Sequence, residues 1–296
     1  MSDVALLGID WGSSSVRALA IAPDGAVVDV RRADDGVFTG TGAFDERLRR
    51  HLGDWLARWP AAPILLCGMI GSDRGWVHAS YVTAPAGLED IARSLAAVPF
   101  ERTTRLVPGL SFASGGEREV MRGEETLLFG LDELPATSIV CLPGTHSKWV
   151  DLAGGRIVRF RTYMTGELRA ALLSAGALAT AVPQIASRDA FLAGFEAAQS
   201  GAAPTRALFQ ARARRLLGTL DPAHTASFVS GVLIGAEIAA EAGRPAPIVL
   251  VARGALAEEY GVALAEAGMR HTLADPEVLA AKGLLRIARR AKLLAN

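Results

Sequence analysis

The chain has 296 residues, half of them hydrophobic and 21% charged, enough for one large domain or two moderate ones around a sizeable core. Thirty-one Lys and Arg balance thirty-one Asp and Glu, and this neutrality argues against a duplex nucleic acid partner, which asks for a basic face; a local positive cluster around a phosphate stays open. Cys67 and Cys141, the only cysteines, each end an apolar run, which excludes a disulfide framework or a zinc site and predicts small core residues in a reducing cytosol.

Met1-Ser2-Asp3-Val4 offers no basic region before its apolar stretch, so no secretory signal is expected. No apolar run is read as approaching the roughly 20 residues of a membrane span. The expectation is a soluble, cytoplasmic protein with no membrane partner.

Val4 to Ile9 is a continuous apolar run, as in a strand covered on both faces, and it stops at Asp10-Trp11-Gly12-Ser13-Ser14-Ser15. Val16 to Ile21 resumes as a strand, Pro23-Asp24-Gly25 turns, and Ala26 to Val30 returns. Ala43–Trp59 reads as one helix, Ile64–Cys67 as a strand, Leu88–Ala97 as a helix, Thr104–Val107 as a strand, and Glu124–Leu131 as a helix. In mid-chain Ser138 to Leu142 is apolar and ends at Pro143-Gly144-Thr145-His146-Ser147-Lys148. Trp149–Leu152, a turn at Ala153–Arg156, and Ile157–Phe160 follow. Helices are predicted over Gly166–Ala181, Ser187–Gln199, Thr205–Leu217, Phe228–Ala242, Leu256–Ala267 and Glu277–Leu294, with a strand at Ile248–Val251.

Each half thus opens with strand, glycine-hydroxyl turn, strand, turn, strand. This is an internal duplication of architecture in an alternating α/β chain. The boundary is placed near Pro135, giving lobes 1–136 and 137–296, with the last helix free to pack back on the first.

A glycine beside Ser or Thr at the end of a buried strand lets backbone amides and hydroxyls approach an anionic phosphate. Two such turns predict two lobes gripping one polyphosphate. Asp10 adds a carboxylate suited to Mg²⁺, and Lys148 is a compact phosphate partner. His146 is read as a hydrogen-bonded structural histidine. The P-loop, the dinucleotide fingerprint, the nucleophile elbow and the His-Glu-x-x-His zinc motif are all absent.

Asp10 to Ser15 resembles the first phosphate motif of the superfamily that holds sugar kinases, Hsp70 and actin, and Gly144 to Lys148 its second. Ser230 to Glu237 resembles its connecting helix and Val249 to Leu256 its adenosine motif, although Ala252-Arg253 precede a single Gly254 where paired glycines are usual. Cys67-Gly68-Met69-Ile70-Gly71-Ser72, Gly75-Trp76, Met121 to Thr126, Leu142 to Trp149 and Met164 to Leu168 are similar to the 2-keto-3-deoxygalactonate kinases, in order along the chain. The glutamine expected after Glu-Glu-Thr is Leu127 here.

The resemblance implies a two-lobed actin-like (ribonuclease H-like) fold with an interlobe cleft, and ATP-dependent phosphorylation of a sugar acid. Nucleotide contacts fall on Gly12, Ser13, Ser14, Gly144, Thr145, Lys148 and Gly254, and Mg²⁺ on Asp10. In related sugar kinases a carboxylate opening the helix before the second phosphate motif accepts the hydroxyl proton. That position matches Glu124 here, with Glu125 close behind and Asp73 a third candidate. The sugar-acid site is expected at Gly71, Ser72, Asp73, Arg74, Trp76 and Arg122. Arg122, Arg74 and Arg161 are open alternatives for holding the substrate carboxylate. A kinase for another small sugar and a non-catalytic nucleotide switch stay open, as does oligomeric state, a homodimer included.

Overall fold

Asp10 lies inside a strand, one residue before its end. The computed structural model describes residues 3–132, 137–244 and 246–294. In it the first apolar run forms β1 (Leu6–Trp11), two residues longer than the pattern predicts at its C-terminal end. Pairing with β2 (Val16–Ile21) is what carries it on, with Asp10 opposite Arg17 and Trp11 opposite Val16. The chain divides into two compact units, one of Met1–Thr137, Asp151–Phe160 and Pro276–Asn296, the other of Ser138–Val150 and Arg161–Asp275. The expected boundary near Pro135 lies outside the described residues.

In the first unit, β3 (Val27–Ala33) completes an antiparallel ribbon with β2. The predicted helix Ala43–Trp59 is two helices, α1 (Phe44–Leu52) and α2 (Trp55–Arg58). Gly53, at φ 49°, breaks it, because the left-handed backbone ends the helical ladder. After β4 (Ile64–Cys67) come β5 (Val82–Thr83), β6 (Ala86–Gly87), α3 (Leu88–Arg93), β7 (Ala96–Ala97) and β8 (Thr104–Leu106). The hairpin of β9 (Leu110–Ser114) and β10 (Glu117–Met121) has no apolar run to announce it and turns at Gly115-Gly116, both at positive φ. α4 (Glu124–Gly130) follows. The main sheet has the order β3-β2-β1-β4-β8-β7, with β1, β4 and β8 parallel.

β11 (Thr137–Leu142), β12 (Ser147–Ala153) and β13 (Arg156–Tyr163), whose residues 151–160 count with the first unit, lead in the second unit to α5 (Thr165–Ser174), α6 (Arg188–Gln199), α7 (Pro204–Leu216) and α8 (Thr225–Ala240). β14 (Ile248–Val251), α9 (Gly254–Glu266) and β15 (His271–Ala274) close it, and α10 (Pro276–Arg290) belongs to the first unit. The strand order β13-β12-β11-β14-β15 repeats the order β3-β2-β1-β4-β8, with the β14 and β15 pairings again parallel. The duplication read from the sequence is therefore a repeat of topology.

Ile9, Trp11, Leu48, Leu66 and Trp55 anchor the first core, and Phe195, Ile238, Leu250 and Tyr260 the second. Each such side chain contributes about 1.5–3 kcal/mol on burial. Cys67 and Cys141 are buried free thiols. One expectation is corrected. Pro222–Ala240 is long and apolar enough to cross a membrane by length and composition, yet 78% of its apolar window is buried inside the fold. α8 is apolar all round because it is a core helix.

Candidate active site

Gly12, Ser13 and Ser14 form the turn after β1, and a neighbouring segment takes up its carbonyls. Val37 N donates to Gly12 O (2.9 Å), Phe38 N to Ser13 O (2.9 Å) and Thr39 Oγ1 to Ser14 O (3.1 Å). The amides of Ser13 and Ser14 have no hydrogen-bond partner among the described residues. With its acceptors occupied and these donors free, the turn suits an anion. Gly36 permits this seating, since a Cβ there would stand 2.3 Å from the Ser14 carbonyl carbon.

Asp35 and Arg47 hold that segment in place. Arg47, 1% exposed, donates to the carbonyls of Asp35 (2.9 Å) and Gly36 (2.7 Å) and pairs with the Asp35 carboxylate at 2.8 Å. Burial would raise the Asp35 pKa, but hydrogen bonds from Arg47, Arg50 and His51 hold it below the ordinary carboxylate value. Trp11 is fully buried and donates to Asp35 O at 2.9 Å, so it is a packing residue.

Asp10, Gly12, Arg122 and Glu124 line one cavity of about 180 Å³ in the first unit, together with Arg17 and Gly68. Arg17 was not singled out by the sequence. It reaches Asp10 Oδ2 at 2.8 Å, and its Nε is buried with no partner among the described residues. The signal was available in the register, since extending β1 by two residues sets Arg17 opposite Asp10.

The two glutamates at the start of α4 differ in placement. Glu124 faces the cavity and accepts from the Arg122 amide at 3.0 Å. Glu125 is fully buried, does not line the cavity, and accepts from the Gly123 amide at 2.9 and 2.8 Å. Burial, reinforced by the Glu124 charge, pushes its pKa up to about 8. It is therefore largely protonated at neutral pH, a poor state for accepting a proton.

On the loop after β4, Gly71 is buried and Ser72 Oγ is sealed from solvent with no partner among the described residues. Asp73 is exposed and paired with His78 at 2.7 Å, and Arg74 lies 4.1 Å over the Phe38 ring. Trp76 stacks on Phe44 at 6.4 Å and meets Phe100 edge-on, a half-buried packing position.

In the second unit, the turn of Gly144 and Thr145 is backed by the start of α5. Glu167 N donates to Thr145 O at 3.0 Å, and Gly166 packs so closely that a Cβ would lie 2.4 Å from Gly144 O. His146 pairs with Glu167, and Lys148, 4% exposed, donates to His146 O at 3.2 Å. Beneath the turn, buried Glu237 accepts from Trp149 Nε1 (2.7 Å), Tyr260 OH (2.8 Å) and Thr165 Oγ1. Burial raises the Glu237 pKa against these hydrogen bonds. Gly254, at φ 57°, opens α9 on an exposed turn. Arg161 is bound through Nε (2.6 Å) and Nη2 (2.9 Å) to Glu241.

Two α/β units that repeat one strand order, each with a glycine-hydroxyl turn after its first strand, define an actin-like ATPase fold of the kind used by sugar kinases. The activator of 2-hydroxyisocaproyl-CoA dehydratase from Clostridium difficile, solved with bound ADPNP, shares that fold at a TM-score of 0.51 and 12% identity, over 99% of this chain and 98% of its own. Within the class, this chain belongs to the 2-keto-3-deoxy-galactonokinase family, whose sequence profile matches residues 10–287. A Rhizobium meliloti (strain 1021) protein named as a probable 2-dehydro-3-deoxygalactonokinase is 40% identical, with 95% of each chain covered. The Escherichia coli (strain K12) 2-dehydro-3-deoxygalactonokinase is 37% identical over 79% of each. A crystal structure of a Sinorhizobium meliloti protein carrying the same name superimposes at a TM-score of 0.88 with 37% identity, over 98% of both chains.

Proposed function

We propose that this chain transfers the γ-phosphoryl group of ATP to the terminal 6-hydroxyl of 2-dehydro-3-deoxygalactonate, a reaction we place in the cytoplasm. The family relationship supplies the substrate class. The single observation carrying the chemistry is that Glu124 and Asp10 line the same cavity as the Gly12 turn.

Glu124 is the proton acceptor in this reading. As the substrate oxygen attacks the γ-phosphorus, its proton passes to the Glu124 carboxylate, the bond to the β-phosphate bridging oxygen breaks, and ADP leaves. In the first unit the free amides of Ser13 and Ser14 are assigned to nucleotide phosphate; in the second, Gly144 and Thr145 are assigned to nucleotide phosphate, Lys148 to that turn's charge balance, and Gly254 to the nucleoside. Arg17 orients Asp10 and adds positive charge beside the cavity.

Mg²⁺ suits Asp10. The partly exposed Asp10 carboxylate on the cavity fits an ion that arrives with a nucleotide and keeps most of its waters. Among the described residues no group of three or more His, Cys, Asp or Glu side chains is placed to hold a metal by itself. When bound, Mg²⁺ offsets charge on the transferring phosphoryl group.

The test is a coupled ADP-release assay over 2-keto-3-deoxy sugar acids and neutral hexoses. Sugar-acid-dependent turnover, abolished by Glu124→Gln with ATP binding retained, is the expected result. Preference for neutral hexoses refutes the substrate, and ATP turnover indifferent to every sugar acid refutes the kinase.

A further inference from the structure

Three arginines are candidates to hold the substrate carboxylate, and their surroundings separate them. Arg161 already spends Nε and Nη2 on the buried Glu241 carboxylate. Arg74 is exposed and stacked over Phe38, where water screens its charge. Arg122 differs from both. Its Nη2 donates to Ala79 O at 2.8 Å and its guanidinium lies 4.5 Å over the Tyr81 ring, yet Nε and Nη1 are sealed from solvent with no hydrogen-bond partner among the described residues.

A cationic donor held without an acceptor and without water is costly, and native structures rarely leave one unless a ligand or a function explains it. A second buried group without a partner among the described residues, Ser72 Oγ, follows Gly71 in the chain. The residue before it, Gly71, lies against the guanidinium, because a Cβ there would stand 2.9 Å from Arg122 Nη1. Two donors lacking acceptors, on adjoining pieces of chain, define a place for an anion with more than one oxygen.

We infer that Arg122, backed by the Ser72 hydroxyl, receives the carboxylate of the sugar-acid substrate and so selects acids over neutral sugars. The inference rests on the kinase reading above. It ties the two ends of the substrate to one short segment. Arg122 holds the carboxylate, and Glu124, whose carboxylate is fixed on the Arg122 amide, serves the reacting hydroxyl. In a water-poor corner the charge pair is stronger than at an exposed site. Arg122→Lys is not a conservative change there, since lysine lacks the planar fork.

The experiment compares wild-type enzyme with Arg122→Lys, Arg122→Ala and Ser72→Ala, measuring steady-state constants for the acid and for ATP, with acid binding by calorimetry. Arg122→Ala is expected to raise the acid KM about a hundredfold, leaving the ATP KM unchanged. Ser72→Ala is expected to raise it about tenfold, and free guanidinium ion restores part of the Arg122→Ala activity. Should Arg122→Ala not fold, Arg122→Lys carries the test, with weakened acid binding as the expected outcome. Wild-type acid affinity in the soluble Arg122 variants overturns the inference alone. A wild-type enzyme that phosphorylates no 2-keto-3-deoxy acid overturns the underlying reading and the inference with it.

Discussion

The Arg47 guanidinium lies 2.7 Å from the carbonyl oxygen of Gly36, and through that contact α1 sets the shape of the first phosphate turn. Val37, Phe38 and Thr39, just after Gly36, occupy the turn carbonyls from behind, so that Ser13 and Ser14 are left presenting amides. A helix that contributes nothing to the cavity lining thereby fixes the donors that a phosphate meets.

Arg47→Ala removes a buried cation that pairs with the partly exposed Asp35 carboxylate and holds two backbone carbonyls, which should destabilise the fold by about 1–3 kcal/mol. Chemical denaturation reads that loss directly. The ATP KM of the folded fraction should rise in parallel, because the turn loses its backing.

Gly36→Ala and Gly166→Ala place a methyl group against the backbone of one phosphate turn each. Both variants should weaken ATP binding about tenfold or more while leaving sugar-acid affinity near wild type, since a shift of backbone donors degrades hydrogen bonds to the anion. Calorimetric titration with a non-hydrolysable ATP analogue checks this. An unaltered affinity in either variant removes that turn from the nucleotide site.

Glu124→Gln should lower kcat by about 10²- to 10⁴-fold, whereas Glu125→Gln should retain most of it at neutral pH, because Glu125 is already largely protonated there. A coupled assay on both purified variants decides between the two glutamates. Equal losses with intact folding would return Glu125 to the reaction.

Glu125 also makes stability depend on pH in a definite direction. Its folded pKa of about 8 stands above the ordinary 4.5, so between those values the folded protein binds more protons than the unfolded chain. Its contribution is full below the lower value and is lost as pH rises through the upper one, at up to about 1.4 kcal/mol per pH unit. Glu125→Gln lacks the titration, so its urea midpoint should vary less than that of wild type across this window.

Glu237→Leu removes the acceptor shared by Trp149, Thr165 and Tyr260. Leaving the Trp149 and Thr165 donors buried and unmet, with Tyr260 held only by Ser147 at 2.7 Å, should destabilise the second unit by several kcal/mol, at about 1–3 kcal/mol per group. Glu237→Gln should be much milder. Urea denaturation followed by tryptophan fluorescence separates the two.

The sequence by itself determined the order of elements and the repeat. Apolar runs ending at Asp10 and at Leu142, each followed by glycine and hydroxyl residues, are local patterns, and local backbone chemistry dictates them. It also placed Glu124 at a helix start, and the resemblance carried by Arg122-Gly123-Glu124-Glu125 pointed to it as the proton acceptor. What it left open depends on partners distant in the chain. The register of β1 with β2 set Arg17 against Asp10. Burial from every side made Glu125 a protonated neighbour of Glu124, and Glu241 occupied Arg161 while Arg122 was left with donors to spare. Neighbouring residues and their spacing carry the first kind of information. Charge state and unmet hydrogen bonds depend on which groups the folded chain brings within about 3 Å, and only tertiary packing decides that.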